Sequence, residues 1–211
     1  MKSTDWSKYY QKPYKTAKYS RSITGNILIK YIEKYVDLTK KITIAELGGA
    51  NSCFYELVRK KIKPLEYHVI DNNQIGLDKF KERVKKNERV FLSNQDVLNI
   101  NSNIKVDLVF STGLIEHFSI EGTKKAIEAH FKILKPNGIA IITFPTPTFL
   151  YKITRWFSKI LGLWIFHDER PLSFAEVIPS LEKSGMILEK KINWLIFLTQ
   201  GVVVIKNNCK K

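Results

Sequence analysis

Three acidic residues, each at the end of a short apolar run, are the first feature of this 211-residue chain that could do chemistry. Glu46 stands in Ile44-Ala45-Glu46-Leu47-Gly48-Gly49-Ala50-Asn51-Ser52, where Gly48 and Gly49 permit a tight turn and a close backbone approach to a ligand. Asp71 lies 25 positions further on and is followed by Asn72. A carboxylate there offers two oxygens, enough to accept both hydroxyls of a ribose. Asp96-Val97 follows the next apolar run. An acid at that point can accept from an adenine amino group while a backbone N–H donates to the ring. Each acid alone reads as a solvated strand end. Three of them after three successive strands, on one rim, are what a nucleoside ligand needs. The fourth run leads into Ser111-Thr112-Gly113, where Ser111 is a further candidate contact, and then into Glu116-His117-Phe118. His117, with an unperturbed pKa near ~6.5, suits general-base work. Glu116 either orients it or serves in its place. The plainer alternative is that His117 packs against or caps the next helix.

These residues need elements to hold them. Ile27, Leu28, Tyr31, Ile32 and Tyr35 recur at helical spacing, which predicts an amphipathic helix from Ser22 to about Asp37. Apolar runs at 42–47, 67–71, 89–92, 106–110 and 139–144 read as strands. Helical stretches at 53–62, 75–86 and 121–134 alternate with them. That alternation predicts a parallel sheet covered on both faces, and right-handed crossovers make it doubly wound. Leu134-Lys135-Pro136-Asn137-Gly138 reads as a tight reversal before the fifth strand. After a helix at 173–184, the strands Met186–Lys191 and Val202–Lys206 are too close for a crossover helix, so they must be antiparallel. The expected organisation is one domain over 1–211: a basic segment and helix to 41, a cofactor-binding core over 42–148, an amphipathic lid or membrane-facing insert over 149–170, and a helix with hairpin over 171–211.

The segments around Glu46, Asp71, Asp96, Val106-Asp107-Leu108-Val109 with Ile115-Glu116-His117-Phe118, and Leu134–Gly138 resemble the motifs of class I S-adenosylmethionine-dependent methyltransferases. The likeness is to the small-molecule, ubiquinone-methyltransferase-like type and covers roughly residues 40–145. It implies a Rossmann-like α/β fold with strand order 3-2-1-4-5-7-6 and S-adenosyl-L-methionine as cofactor. It also implies that Glu46, Gly48, Gly49, Ala50, Asp71, Asn72, Asp96, Val97 and Ser111 bind that cofactor. Where the family usually carries further glycines this chain has Ala50 and Ser52. A left-handed backbone at either would cost roughly 1–2 kcal/mol. A dinucleotide fingerprint from Gly48 would want glycines at 50 and 53, where Ala50 and Cys53 stand.

Composition narrows the function. Hydrophobic residues at 44% and charged residues at 26% fit a folded globular chain and exclude a disordered or collagen-like one. Cys53 and Cys209 form no CxxC pair, so no disulfide framework, structural zinc or other metal is expected. No secretory h-region and no run of ~18 apolar residues is present, which points to the cytoplasm. The net charge of +15 is uneven: +7 over 1–41, +3 over 42–150 and +5 over 151–211. It either serves an anionic partner or only records composition. Ser111-Thr112-Gly113-Leu114 stands where an Asn/Asp-Pro-Pro-aromatic turn would mark amino-group methylation of adenine or glutamine. Phe149, Leu150, Ile153, Trp156, Phe157, Ile160, Leu161 and Trp164 lie at helical spacing opposite Lys152, Arg155 and Lys159. Such a basic amphipathic helix with tryptophans can lie in a membrane interface. The expected acceptor is therefore a lipid, isoprenoid or lipid-linked glycan, taken from an anionic membrane surface by a peripheral enzyme. A soluble sugar or metabolite, RNA (on the interleaved Tyr and Lys of 6–21), and a non-catalytic binding module are the alternatives.

Overall fold

The computed structural model describes residues 3–11 and 18–208. Lys12, Pro13, Tyr14 and Lys15 of the basic segment, and Cys209, lie outside the described residues. In chain order the elements are α1 (Trp6–Gln11), α2 (Lys18–Tyr35), β1 (Thr43–Leu47), α3 (Tyr55–Lys61), β2 (Glu66–Asp71), α4 (Gln74–Lys81), β3 (Val90–Asn94), β4 (Val106–Thr112), α5 (Ile120–Lys132), β5 (Leu134–Pro145), α6 (Phe149–Ile160), α7 (Phe174–Ser184), β6 (Gly185–Asn193) and β7 (Gln200–Asn207). They build one seven-stranded sheet in the order β3-β2-β1-β4-β5-β7-β6. β1 to β5 are mutually parallel, and β7 runs antiparallel to both β5 and β6.

Strand side chains alternate between faces, and both faces of this sheet are covered. Ala45, Leu47, Val109 and Ile142 pack with Ala126 and Ile127 of α5 and Leu181 of α7. Ile44, Leu108, Phe110 and Ile141 pack with Ile32 of α2, Val58 of α3 and Phe80 of α4. Strand order reverses between β1 and β4, so the crevice beyond their carboxyl ends is where an open α/β sheet takes a ligand.

Four local expectations need correction. Trp6–Gln11, within the basic segment for which no element is expected, is a helix. The 134–138 reversal is instead part of β5: Leu134 pairs with Val106 and Ile139 with Leu108, so the extra residues bulge out opposite Asp107. Asn137 takes the left-handed backbone there (φ 63°), which asparagine tolerates, and Lys135 reaches back to Asp107 at 2.9 Å. α6 ends at Ile160 because Gly162 turns left-handed (φ 65°) just beyond it, a common helix stop. Trp164 is consequently not on the helix; it is buried and donates Nε1–H to the Phe166 carbonyl at 2.8 Å.

Candidate active site

Beyond the carboxyl ends of β1, β2, β3 and β4 lies a cavity of about 460 Å³, within the usual range for a small-molecule site. Of the nucleoside-binding candidates, Glu46, Gly48, Gly49, Asp71, Asn72, Asp96 and Val97 all line it. Gly48 has φ 71°, and a Cβ there would come within 2.7 Å of the Leu114 side chain. A Cβ on Gly49 would lie 2.5 Å from the carboxyl of Glu46. Glycine is therefore needed at both positions because a Cβ would strike the Leu114 or Glu46 side chain. Ala50 and Ser52 do not take the left-handed backbone, so the missing family glycines cost nothing here.

Asp71 ends β2 and is held by its neighbours. Its Oδ2 accepts from the Ala50 amide at 3.1 Å and its Oδ1 from the Asn73 amide at 2.8 Å. Each oxygen keeps a lone pair for a ligand. Burial raises this carboxyl, and those amide bonds partly offset the rise. Glu46 is enclosed, with Tyr67 donating its hydroxyl to Oε2 at 2.5 Å. Burial pushes its carboxyl up to about 7. Asp96 is exposed; it caps the 3₁₀ turn Val97–Asn99, accepting from the Leu98 amide at 2.9 Å and from Asn99 Nδ2 at 3.1 Å.

Two of the expected contacts face elsewhere. Ala50 is fully buried and meets the rim through its amide to Asp71. Ser111 points into the protein, where its hydroxyl meets His130 Nε2 at 2.9 Å under α5. Strand alternation explains this: Ser111 has the parity of Val109, whose side of the sheet is covered by α5.

The cavity wall beyond β4 carries His117 and Glu116, on the 3₁₀ turn Ile115–His117. The partner that orients His117 is Asp168, with Nδ1 to Oδ1 at 2.9 Å, and not Glu116, whose Oε1 is 3.8 Å from Nε2. Asp168 is held in turn by the hydroxyl of Thr4. Burial acts upward on Asp168, but the bonds from Thr4 and His117 outweigh it and keep the carboxyl below its ordinary range. An ionised Asp168 assigns the proton to Nδ1 and leaves Nε2 as an acceptor. Burial lowers the imidazole, so the neutral ring is favoured. Glu116 is 1% exposed, and burial, with the charges of Glu169 and Asp168, drives its carboxyl well up. Glu169, also on the wall, accepts the Tyr151 hydroxyl.

Sequence reasoning did not find Asp168 and Glu169. The charged run His167-Asp168-Glu169-Arg170 after an apolar stretch was their only signal, and it lies 51 residues from His117. Trp6, Tyr9 and Tyr10 of α1 line the cavity, and Trp6 meets the His117 ring edge-on at 4.9 Å. Leu198, from the 194–199 loop, and Tyr151 of α6 complete the mouth.

Residues 45–140 match the family model of a methyltransferase domain. The core of this chain is thus similar to a methyltransferase domain. No curated protein matches the chain in sequence. Solved structures similar to it include the N-methyltransferase NodS from Bradyrhizobium japonicum WM9 in complex with S-adenosyl-L-homocysteine (14% identity, TM-score 0.64, covering 86% of each chain). The magnesium protoporphyrin IX methyltransferase ChlM from Synechocystis PCC 6803, also with S-adenosyl-L-homocysteine bound, is 15% identical (TM-score 0.67, 87% of this chain and 82% of that one). An S-adenosylmethionine-dependent methyltransferase from Clostridium acetobutylicum ATCC 824 is 17% identical (TM-score 0.68, 88% and 91%). The fold is thus that of class I S-adenosylmethionine-dependent methyltransferases, with the antiparallel β6–β7 closure that the short connection between those strands predicted.

Proposed function

We propose that this methyltransferase domain uses S-adenosyl-L-methionine to methylate a small apolar acceptor (a lipid, isoprenoid or lipid-linked glycan) at the anionic cytoplasmic face of a membrane. When bound, the cofactor supplies a methyl group on a sulfonium, already activated for in-line attack. The turn at Gly48 and Gly49 fits such a group, since without side chains its backbone can approach a ligand closely. Asp71 is the acceptor for the ribose hydroxyls, with Asn72 beside it. Asp96 and the Val97 amide face the base. Glu46 offers a carboxylate to the cationic end. On the wall beyond β4, His117 Nε2 is the atom that takes a proton from an acceptor hydroxyl, while Asp168 fixes the ring and Glu116 lies alongside.

One observation carries the acceptor class: α6 turns most of its large apolar side chains to solvent. Phe149, Trp156, Phe157 and Ile160 are exposed, at 80, 57, 53 and 62%. Tyr151 is buried, and the half-buried positions are Leu150, Thr154, Arg155 and Ser158. A helix packed as an ordinary lid would bury its apolar stripe. Trp194, Leu195 and Phe197 add three more exposed large side chains. The segments bearing these groups also send Tyr151 and Leu198 into the cavity. Contiguous exposed apolar surface flanked by Lys152 and Lys159 suits an anionic interface. Among the described residues no helix is long and apolar enough to cross a membrane, so the surface would be met from one side.

Flotation of the full chain with liposomes tests this. Co-flotation with phosphatidylglycerol-containing vesicles, and little with pure phosphatidylcholine, is expected. A chain that stays at the bottom with both would end the membrane reading and leave a soluble acceptor.

A further inference from the structure

His117, Glu116 and Glu169 meet on the wall of the cavity beyond β4, and each offers a ligand atom within 4.8 Å of the other two. Three independent features of this cluster are those of a metal site. First, Asp168 takes His117 Nδ1 at 2.9 Å, so Nε2 faces Glu116 with its lone pair free. A carboxylate behind an imidazole is the arrangement that fixes a metal-binding histidine. Second, Glu116 is 1% exposed, and its Oε2 has no hydrogen-bond partner. A buried acceptor left unpaired is costly, and a cation removes that cost. Third, Glu116, Asp168 and Glu169 put three carboxyl groups around one neutral imidazole. Arg155 is the cation beside Glu169, and it donates Nη2–H to that residue's main-chain carbonyl at 2.8 Å.

We propose that Glu116, His117 and Glu169 bind one divalent first-row cation, Mn²⁺ or Zn²⁺, with Asp168 as the positioning residue behind His117. Two carboxylates and one imidazole suit either ion. Bond lengths of about 2.0–2.2 Å set neighbouring ligands roughly 3 Å apart, so the cluster contracts by about an ångström on binding. Three protein ligands leave an open position toward the cavity, as catalytic rather than structural sites do. A hydroxyl of the acceptor held there would lose its proton more readily, as water does on Zn²⁺. That consequence rests on the methyltransferase reading; the binding itself does not. Coordination through Nε2 and proton acceptance by Nε2 exclude each other, so with an ion bound His117 is a ligand and no longer the proton acceptor.

The test is equilibrium titration of the chelator-stripped full chain with MnCl₂, following the free-ion paramagnetic resonance signal, and with ZnCl₂ in competition. One ion per chain, with micromolar affinity for Mn²⁺ or Zn²⁺, is expected. Glu169→Gln and His117→Ala should abolish binding, and Asp168→Asn should weaken it by about tenfold or more. Circular dichroism identifies any variant that fails to fold, and Asp168→Asn then decides between them. A folded wild-type chain that binds neither ion at millimolar concentration overturns the site. So does binding unaffected by a folded Glu169→Gln. Cofactor binding to the metal-free chain, measured in parallel by calorimetry, fails only if the methyltransferase reading fails.

Discussion

At the scale of single residues, the acids on the rim do different work because their surroundings differ. Asp71 has two amide donors and lone pairs to spare, so its side chain is preformed for a diol. Asp71→Ala should weaken S-adenosylmethionine binding by about 1.5–3 kcal/mol, the usual worth of a hydrogen bond to a charged group, as read by calorimetry. Affinity unchanged in a folded variant would refute the assignment of this residue. Glu46 instead is enclosed with Tyr67, and its carboxyl lies at about 7 against an ordinary 4.5. A folded-state value above the unfolded one means that the folded chain holds the proton more tightly. The stabilisation is complete below the unfolded value and is lost as pH rises through about 7. The loss is on the order of 3 kcal/mol. Glu46→Gln cannot ionise, so its melting temperature should fall less than that of the wild type between about pH 5 and about pH 8. Parallel pH profiles would show that Glu46 does not titrate in this range.

Elements decide what the residues can reach. The β1–α3 turn needs Gly48 both for its left-handed backbone and for the space beside Leu114. Gly48→Ala should therefore cost about 1–2 kcal/mol of stability from backbone strain alone, with a further loss of cofactor affinity as the Cβ crowds the turn. A thermal melt and a calorimetric titration separate the two effects. α6 makes the opposite case, because its exposed stripe contributes little to its own fold. Replacing Trp156 and Phe157 by serine should leave the melting temperature nearly unchanged, within about 0.5 kcal/mol per site. The same change should abolish vesicle flotation. A large loss of stability would mean that the stripe packs against the protein.

The whole molecule carries +15 and turns its unpaired apolar side chains to solvent on the segments that frame the cavity. Binding to anionic vesicles should weaken steeply with added salt, since surface charges beyond a Debye length of about 8 Å are screened at physiological ionic strength. Salt-independent binding would mean that the apolar stripe acts alone. Much of this architecture was legible without coordinates. Runs such as Val106–Phe110 are too apolar to be anything but buried strands, and their alternation with helices leaves few topologies. The acids Glu46, Asp71 and Asp96 were legible because each follows its strand directly, so chain position alone puts them on the rim. Ser111 was misread because one residue of register reverses the face of a strand. Asp168 and Glu169 were invisible because their meeting with His117 is a contact across 51 residues, made by the loop after α6. The sequence by itself determined the doubly wound sheet and the edge where a ligand belongs, since local periodicity and crossover handedness suffice for those, while its strand order followed from the likeness to methyltransferase motifs. Only the tertiary structure decided that α6 turns most of its large apolar side chains outward and that three carboxyl groups converge on one imidazole, because both depend on packing between segments far apart in the chain.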